Sequence, residues 1–553
     1  MGWISSSTRF SLGLYGRFPL ACETIASMIA CLLYIGPIVF PLIRVPYPGG
    51  DTFQMVWNLF SVAESLLHGL NPLRSEMIFW PEGGNLTTHS LASGFAPLVL
   101  AVRAVVGDGA LYPMVAFNLA VLTSFLATML FTLAALRRLG FSLSVAVVPA
   151  LCATFASFYG LHIAHLNLLS AFVVPLGFLL IHGVLTQPGP GRAVLAAACL
   201  GWALYLTEMA VFLYVLLAVC MAVFPPVRHR LVTALRQLGP GWTLVAAAVF
   251  AAITAPFILT WTSSDALRPQ AGDSSLFSAN LLGFVVPGHF RAPLYGDGFA
   301  GWNARMSGIG GFEAFLGYPF LILVGIGVTA AWRNPAVRYA VLLAVVFLVL
   351  SLGPTLKVNT TDTGIPLPYG VLMQLPPFSM GRTPVRLIIF ALFMLTVPAA
   401  AGMRALLAGT APLRLAVAGA LALWAMVEVR YPPVPRGPLP GLDGAERLEG
   451  PVLVLPLRIN NGRAMAMQII HRQPMSAGYL ARLTQRQIDL FHEQEQIFAA
   501  GPRAMCGYAR AAGFRSILVT APLEDGYDEG LAVCPVPVYH SQFPASDHGQ
   551  RHE

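Results

Sequence analysis

Long apolar runs separated by short polar stretches dominate the chain between residues 21 and 430. A helix needs about 20 apolar residues to cross a bilayer core, and roughly 17–25 when tilt is allowed. By that measure we predict about eleven crossings, so the fold class is mostly α, a polytopic membrane helical bundle. The predicted spans are 21–43, 111–136, 142–160, 166–185, 193–207, 209–224, 241–261, 312–332, 337–353, 385–404 and 413–430. The run 91–106 is too short to count.

Composition agrees with this pattern. The chain is 56% hydrophobic and only 10% charged, whereas roughly a quarter of the residues of a soluble protein are charged. The formal net charge is +8. The basic residues occur one or two per short loop rather than in a block, so we expect membrane lipids as partners and no nucleic acid.

The distribution of arginines predicts the topology, because basic residues near span ends favour the cytoplasm. With the N-terminus cytoplasmic, the inner segments contain no Asp or Glu apart from Glu23 at the edge of the first span. We therefore expect a multi-pass protein of the inner (cytoplasmic) membrane of a bacterium, with Asp51 and the C-terminus outside. The arginines assigned to the inner side are Arg9, Arg17, Arg137, Arg138, Arg192, Arg228, Arg230, Arg236, Arg333, Arg338, Arg404 and Arg414.

The composition changes after about residue 434. The Pro-rich stretch 432–440 is typical of a stiff linker between domains. We predict a transmembrane domain over 1–434 and a small extracytoplasmic α/β domain over 435–553, here called the tail. Its predicted strands are 451–456 and 516–520, and its predicted helices are 464–471 and 485–500.

Seven cysteines are scattered along the chain, five of them in apolar runs where a small side chain simply packs. Cys506 and Cys534 lie in the tail, where an oxidising compartment would allow a disulfide. Sequence does not give geometry, so a bridge and two free thiols both stay open.

Asp51 is the first candidate for chemistry. It follows the first span in Val45-Pro-Tyr-Pro-Gly-Gly-Asp-Thr-Phe-Gln54, on the predicted outer side. The next segment, 58–67, has apolar residues at spacings of three and four, which predicts an amphipathic helix lying on the membrane surface.

Other polar residues fall near the outer ends of spans. His162, His165 and Asn167 lie in one short stretch, and Glu208 lies between the predicted spans 193–207 and 209–224. Ionisable groups near hydrocarbon are costly and are therefore functional candidates. Two histidines three residues apart, with a carboxylate, could also hold a divalent metal ion, although ordinary structural roles explain them equally well.

Arg382 and Arg386 lie in Phe378-Ser-Met-Gly-Arg-Thr-Pro-Val-Arg386 at the outer mouth of a span, against the positive-inside trend. A guanidinium group binds phosphate oxygens bidentately, which predicts a lipid-linked phosphate as ligand. Snorkelling to lipid headgroups is the alternative. Lys357, the only lysine, is placed outside as well and joins the substrate-binding candidates.

Taken together, the chain resembles the GT-C superfamily, multi-span glycosyltransferases that use polyprenyl-phosphate-linked sugars. The likeness covers most of the chain as pattern and architecture. The segments that carry it are Tyr47-Pro-Gly-Gly-Asp51, Phe79-Trp-Pro-Glu-Gly-Gly-Asn-Leu86, Arg382-Thr-Pro-Val-Arg386, Val452-Leu-Val-Leu-Pro456 and Gly478-Tyr-Leu-Ala-Arg482.

The resemblance implies sugar transfer from a polyprenyl-phosphate-linked donor to an extracytoplasmic glycan, lipid or protein acceptor. It implies that Asp51 is a general base or a metal ligand, so a divalent ion stays an open cofactor. Many members carry two neighbouring acids in the first outer loop, whereas Asp51 stands alone, so Glu208 is the candidate second acid. A transporter or flippase of lipid-linked intermediates, or a non-catalytic envelope assembly protein, are the alternatives.

Overall fold

The computed structural model describes residues 19–267, 271–307, 311–312, 314–375, 378, 381–409, 411–441, 447–524 and 526–541. Arg9 and Arg17, which entered the topology argument, lie outside these ranges. Helices make up most of the described chain, as predicted, and the strands are short.

Twenty of the helices precede the tail. They are α1 (Pro19–Tyr34), α2 (Gly36–Val39), α3 (Gly50–Leu67), α4 (Ala96–Val106), α5 (Leu111–Arg138), α6 (Leu143–Thr154), α7 (Ser157–Leu161), α8 (Leu166–Leu169), α9 (Val173–Thr186), α10 (Pro190–Leu206), α11 (Met209–Val223), α12 (Pro225–Thr262), α13 (Ala271–Leu276), α14 (Ala292–Tyr295), α15 (Asp297–Ser307), α16 (Tyr318–Ala331), α17 (Pro335–Ser351), α18 (Pro368–Leu372), α19 (Ile388–Leu407) and α20 (Pro412–Glu428).

Five helical stretches of the described residues are long and apolar enough to cross a membrane, and six shorter apolar helices accompany them. The chain is an integral membrane protein on this pattern. The long ones are Leu111–Arg138, Leu143–Leu161, Leu166–Thr186, Val227–Thr262 and Pro384–Leu407. The predicted number of spans and their orientation stay predictions.

Helix α19 lies at the centre of the bundle, and 89% of the most apolar window of Pro384–Leu407 is buried. It packs against α16, α17 and α6. A Cβ on Gly327 of α16 would come within 1.8 Å of the Pro398 carbonyl oxygen of α19, so only glycine permits this backbone contact. The close contact holds α16 against the second half of α19.

The helix predicted to lie on the membrane surface is instead inside the protein. It begins at Gly50, and thirteen of the eighteen residues of α3 are buried. The helix packs against α5, α4 and the tail helix α21 (Gly462–His471). The amphipathic pattern was real, but its apolar face meets protein rather than lipid.

Helix α12 contains a break just before the predicted span 241–261. Gly239 has φ 76° and ψ 163°, so a first segment ends there and a second, apolar segment continues to Thr262. Little of this apolar stretch is buried, since only 6% of its most hydropathic window is covered. Its inner face packs against α10 and α11.

The strands form small sheets. Four two-stranded sheets are described: β1 (Val45–Pro46) pairs with β8 (Arg436–Gly437), β2 (Arg74–Ser75) with β3 (Gly84–Asn85), β4 (Ser278–Ala279) with β5 (Gly311–Phe312), and β6 (Thr355–Val358) with β7 (Thr361–Pro366). The β1–β8 pair joins the segment before Asp51 to the Pro-rich stretch, which is therefore packed rather than free.

The tail contains a three-stranded parallel sheet in the order β11-β10-β9. Its strands are β9 (Val452–Leu455), β10 (Ser516–Val519) and β11 (Val538–His540), and its helices are α21, α22 (Gln485–Ala499), α23 (Pro502–Ala511) and α24 (Tyr527–Leu531). The four elements predicted in this region are all present, within two residues of the predicted ends.

The tail docks on the first long loop through backbone hydrogen bonds. The amides of Phe79 and Trp80 donate to the carbonyls of Ala477 (3.2 Å) and Met475 (3.0 Å), and the Met475 amide donates back to Met77 (3.0 Å). The pairing adds a strand-like contact between the two parts. It brings the segment 478–482 beside the start of α3.

A charged cluster adds to this docking. Arg472 of the tail bonds both carboxylate oxygens of Asp108, and Arg103 contacts Glu64 at 2.8 Å and Asp108 at 3.1 Å. Networks of this kind contribute more than isolated surface pairs, because each charge meets two partners.

Cys506 and Cys534 form a disulfide, with Cα atoms 5.6 Å apart. The bridge links α23 to the segment after α24, and both cysteines pack on the sheet.

We expect the double substitution C506S/C534S to destabilise the tail by about 3–4 kcal/mol, because it releases a crosslink that spans 28 residues. Limited trypsin digestion of the full chain in detergent measures this as faster cleavage within residues 447–541. The exposed Cys22 serves as control, and Cys22→Ser should leave the digestion rate unchanged. Equal digestion of the double variant and the parent would contradict a stabilising bridge.

Candidate active site

A cavity of about 460 Å³ opens where the first loop, the ends of several membrane helices and the tail meet. One end is polar and includes Asp51, Gln54, His89, His165 and Tyr479. The other end is walled by α11 and α12 with aromatic side chains. These are Phe212, Tyr214, Phe250, Phe257 and Trp261.

Asp51 sits in the first turn of α3, where the helix dipole favours a negative charge. Its Oδ1 accepts a hydrogen bond from the Tyr479 hydroxyl at 2.6 Å, and its Oδ2 lies 3.1 Å from His165 Nε2. The tail reaches this turn because Gly462 lies against Gly50. A Cβ on Gly462 would come within 2.4 Å of the Gly50 carbonyl oxygen.

The environment keeps Asp51 ionised. Burial by itself raises the pKa of the Asp51 carboxyl, but hydrogen bonding and charge from His165, followed by the Tyr479 hydrogen bond, hold that pKa well below its usual range. The side chain remains 38% exposed towards the cavity. It is therefore a solvated carboxylate with both oxygens in contact with donors.

Glu208 occupies the turn between α10 and α11. Its carboxylate accepts hydrogen bonds from Asn167 Nδ2, at 3.0 Å to each oxygen, and from Arg386 Nη1. Asn167 is buried and also donates to Ser90 Oγ at 3.2 Å. Burial raises the pKa of Glu208, but Arg386 and Asn167 together lower it. Glu208 thus fixes the position of one arginine.

Three guanidinium groups line the cavity. Arg382 and Arg386 come from the segment that enters α19, and Arg482 comes from the tail. Arg382 lies over the Phe277 ring, 5.2 Å from its centroid. Burial and the charges of Arg382 and Arg386 lower the pKa of Arg482 to about 10, so it stays protonated at neutral pH.

Three nitrogen atoms from other residues lie close to the ring of His89. Gln54 Nε2 lies 2.8 Å from its Nε2, Asn58 Nδ2 lies 3.3 Å from the same atom, and the Ala481 amide donates to Nδ1 at 3.3 Å. Burial lowers the pKa of His89 to about 4. The ring is therefore neutral at physiological pH and accepts a hydrogen bond from the tail.

The carboxylates and histidines of the cavity are not arranged to bind a metal ion. Both oxygens of Asp51 face donors, and Glu208 is held by Asn167 and Arg386. Within the described ranges, no three His, Cys, Asp or Glu side chains are placed to hold a metal together. His162 turns away, since its Nδ1 bonds the Phe158 carbonyl at 2.7 Å.

Of the residues predicted from sequence, Asp51, His165, Glu208, Arg382 and Arg386 line one cavity. Asn167 is next to the cavity, where it donates hydrogen bonds to Glu208. Lys357 is elsewhere: it is buried, and its Nζ donates to the Ser275 carbonyl and to Ser278 Oγ, the latter at 3.0 Å. Its contacts hold a loop rather than the cavity.

Sequence reasoning did not single out His89, Tyr479 or Arg482 as site residues. The segment Gly478-Tyr-Leu-Ala-Arg482 did carry part of the resemblance, which was a usable signal. His89 follows two threonines in a loop and had no such signal, because its importance comes from three neighbours distant in sequence.

No family model and no curated protein matches the chain. Solved structures that are similar to it include the archaeal oligosaccharyltransferase AglB from Archaeoglobus fulgidus in complex with an inhibitory peptide and a dolichol-phosphate. That alignment has 12% identity and a TM-score of 0.48, and it covers 90% of this chain and 68% of that chain. The apo form of the Archaeoglobus fulgidus oligosaccharyltransferase aligns with 12% identity and a TM-score of 0.42, over 84% of this chain and 65% of that chain.

We expect a stability change that depends on His89 as the pH falls. The pKa of about 4 in the folded state lies below the ordinary value of about 6.5, so the unfolded chain binds more protons between those two values. The stabilisation from neutral His89 is complete above pH 6.5 and is lost as the pH falls towards 4. Thermal unfolding of the full chain at several pH values measures it.

The comparison variant is His89→Gln, which should show a shallower loss of melting temperature over the same interval. His68→Gln, at a histidine whose side chain is 65% exposed, should follow the parent curve. If melting temperature depends on pH in the same way for the parent and for His89→Gln, folding does not lower the pKa of His89.

Proposed function

We propose that the chain is a membrane glycosyltransferase that moves a sugar from a polyprenyl-phosphate-linked donor to an extracytoplasmic acceptor. The observation that supports this most directly is a single cavity in which a carboxylate, Asp51, faces a group of arginines, beside an apolar wall. Such a cavity provides a proton acceptor, a site for a phosphate leaving group and a surface for a lipid chain.

Asp51 is the proposed general base. An acceptor hydroxyl attacks the anomeric carbon of the sugar, its proton passes to the Asp51 carboxylate, and the bond from that carbon to the phosphate oxygen breaks. The electron pair of the broken bond leaves with the phosphate. The product is a glycosylated acceptor and a polyprenyl phosphate.

The Tyr479 hydroxyl occupies the place that the acceptor hydroxyl would take. It donates to Asp51 Oδ1 at 2.6 Å, and hydrogen bonds of this kind lower the basicity of a carboxylate. An acceptor that displaces Tyr479 removes this bond and raises the basicity of Asp51 when a proton must be accepted. His165 keeps the other oxygen in place at 3.1 Å.

Arg382 and Arg386 would stabilise the charge that develops on the phosphate. Glu208 is the second acid of the cavity, and in this proposal it acts on Arg386 by holding the guanidinium group in position. The negative charge of Glu208 weakens the attraction between Arg386 and a phosphate. The same contact limits the rotamers available to the long Arg386 side chain.

The apolar wall fits the lipid part of such a donor. Phe250, Phe257 and Trp261 lie on the inner face of α12, and the opposite face of that helix is largely uncovered. A polyprenyl chain of a membrane lipid can lie along such a surface while its phosphate reaches the arginines. Snorkelling arginines alone would not require this polar and apolar arrangement around a carboxylate.

The central prediction concerns Asp51→Asn, which keeps the shape of the side chain and removes the base. Transfer of sugar from a purified polyprenyl-phosphate-linked donor should fall by about 10²–10⁴-fold, the usual contribution of a general base. Donor binding should change little, because the phosphate contacts are made by other residues. Single-turnover transfer measured with radiolabelled sugar separates the two effects.

A matched control is Asp362→Asn, at an exposed carboxyl of β7 far along the chain. This variant should transfer at the parental rate. Unchanged transfer by Asp51→Asn, in protein with a parental melting temperature, would reject Asp51 as the base.

The proposal places the cavity on the extracytoplasmic side. A membrane-impermeant maleimide added to intact cells should label Thr361→Cys, in the exposed β6–β7 hairpin, and should not label Arg333→Cys between α16 and α17 until the membrane is permeabilised. Both variants are made in a Cys22→Ser background. The reverse pattern of labelling would place the cavity in the cytoplasm and would exclude an extracytoplasmic acceptor.

A further inference from the structure

Arg482 is the least expected side chain of the cavity. It belongs to the tail, whereas Arg382 and Arg386 belong to the entry of α19, nearly a hundred residues earlier. Three guanidinium groups from two distant segments therefore line the same 460 Å³ space. Like charges repel most strongly where protein replaces water, so this convergence carries a cost unless an anion is bound.

The carboxylates of the cavity only partly offset these charges. Glu208 is committed to Arg386, and Asp51 contacts Tyr479 and His165. Arg382 is placed over an aromatic ring. Three arginines and two carboxylates line the cavity, where His89 is neutral, and the Asp273 carboxylate also attracts Arg382 and Arg482. Neither Asp51 nor Glu208 is bonded to Arg382 or Arg482 in the contacts described, and a negatively charged ligand fits a lining with three guanidinium groups.

Arg386 also has an N–H donor without an acceptor among the described residues. Its Nη1 bonds Glu208, but its Nε is buried and makes no hydrogen bond within the described part of the chain. A buried N–H group without an acceptor is unfavourable, so a bound oxygen at this point would be stabilising. The observation is independent of the charge count and points to the same kind of ligand.

We propose that Arg482 is a third ligand of the donor phosphate, so that the tail completes the phosphate site begun by Arg382 and Arg386. This inference rests on the proposed function and deepens it, because it assigns the tail a part in donor binding. The ligand class is a polyprenyl phosphate or diphosphate. Both present pairs of phosphate oxygens that a planar guanidinium group binds through two N–H groups.

Arg482 lies close in sequence to Tyr479, so one short segment contacts both the proposed base and the proposed phosphate site. Tyr479, which bonds the proposed base, lies three residues before Arg482 in a segment without helix or strand. The Ala481 amide between them donates to His89. A phosphate bound by Arg482 therefore holds, against the cavity, the same short segment that carries the partner of Asp51.

The test uses the purified full chain and does not depend on transfer. Binding of farnesyl phosphate and farnesyl diphosphate, both short polyprenyl lipids, is measured by titration calorimetry in detergent for the parent and for Arg482→Gln. Losing a charged hydrogen-bond donor should weaken binding of at least one probe by roughly tenfold or more. Arg482→Lys keeps the positive charge but not the paired N–H donors of the guanidinium group, so its affinity should lie between those of the parent and Arg482→Gln.

Arg486→Gln is the matched control. Arg486 lies four residues further on, its side chain is 80% exposed, and it pairs with Glu82 at 2.8 Å outside the cavity. This variant should bind both probes as the parent does. Melting temperatures without lipid separate a loss of ligand contact from a loss of folding, and inorganic pyrophosphate alone tests whether the lipid chain is needed.

Parental affinity of Arg482→Gln for both probes would overturn the assignment. So would a loss of affinity that Arg482→Lys does not partly restore, since that result would indicate a structural role. The outcome is separable from the proposed function. Weakened probe binding in a chain that transfers no sugar would retain the phosphate site and reject the transferase, whereas intact transfer with unchanged binding would reject only the role of Arg482.

Discussion

The contact between the Asp51 carboxylate and the Tyr479 hydroxyl is the constraint on which the rest of the cavity depends. It joins the first turn of α3 to a segment more than four hundred residues later, at a distance of 2.6 Å. An acid between hydrocarbon and protein needs donors to remain charged, and Tyr479 and His165 supply them. Tyr479 therefore ties the tail to Asp51 and, together with His165, helps to keep that carboxyl ionised.

The surrounding structure makes that contact possible. Backbone pairing between 77–80 and 475–477 fixes the tail against the first loop, and the Arg472 cluster fixes a second point. Glycine at position 462 lets α21 approach the backbone at Gly50. None of these features contacts a substrate, yet each determines whether the segment 478–482 can reach the cavity.

The cavity has a polar end and an apolar end. Its polar end collects side chains from α3, the first loop and the tail, and its apolar end is formed by aromatic residues of α11 and α12. Charges next to such a wall interact more strongly than charges in water, because less solvent screens them. An amphipathic ligand with a phosphate group satisfies both ends at once, which is the physical basis of the proposed function.

The sequence by itself determined the helical class, the approximate position of most helices and two of the three strands of the tail, because these follow from local hydrophobic periodicity. It also proposed Asp51, Glu208, Arg382 and Arg386 as candidates, which line one cavity, since charged groups beside apolar runs are conspicuous. Tertiary structure alone decided that α3 is buried, that Lys357 lies outside the cavity, and that His89, Tyr479 and Arg482 belong to it. These outcomes depend on contacts between segments that are tens to hundreds of residues apart, and no local pattern encodes which surfaces will meet.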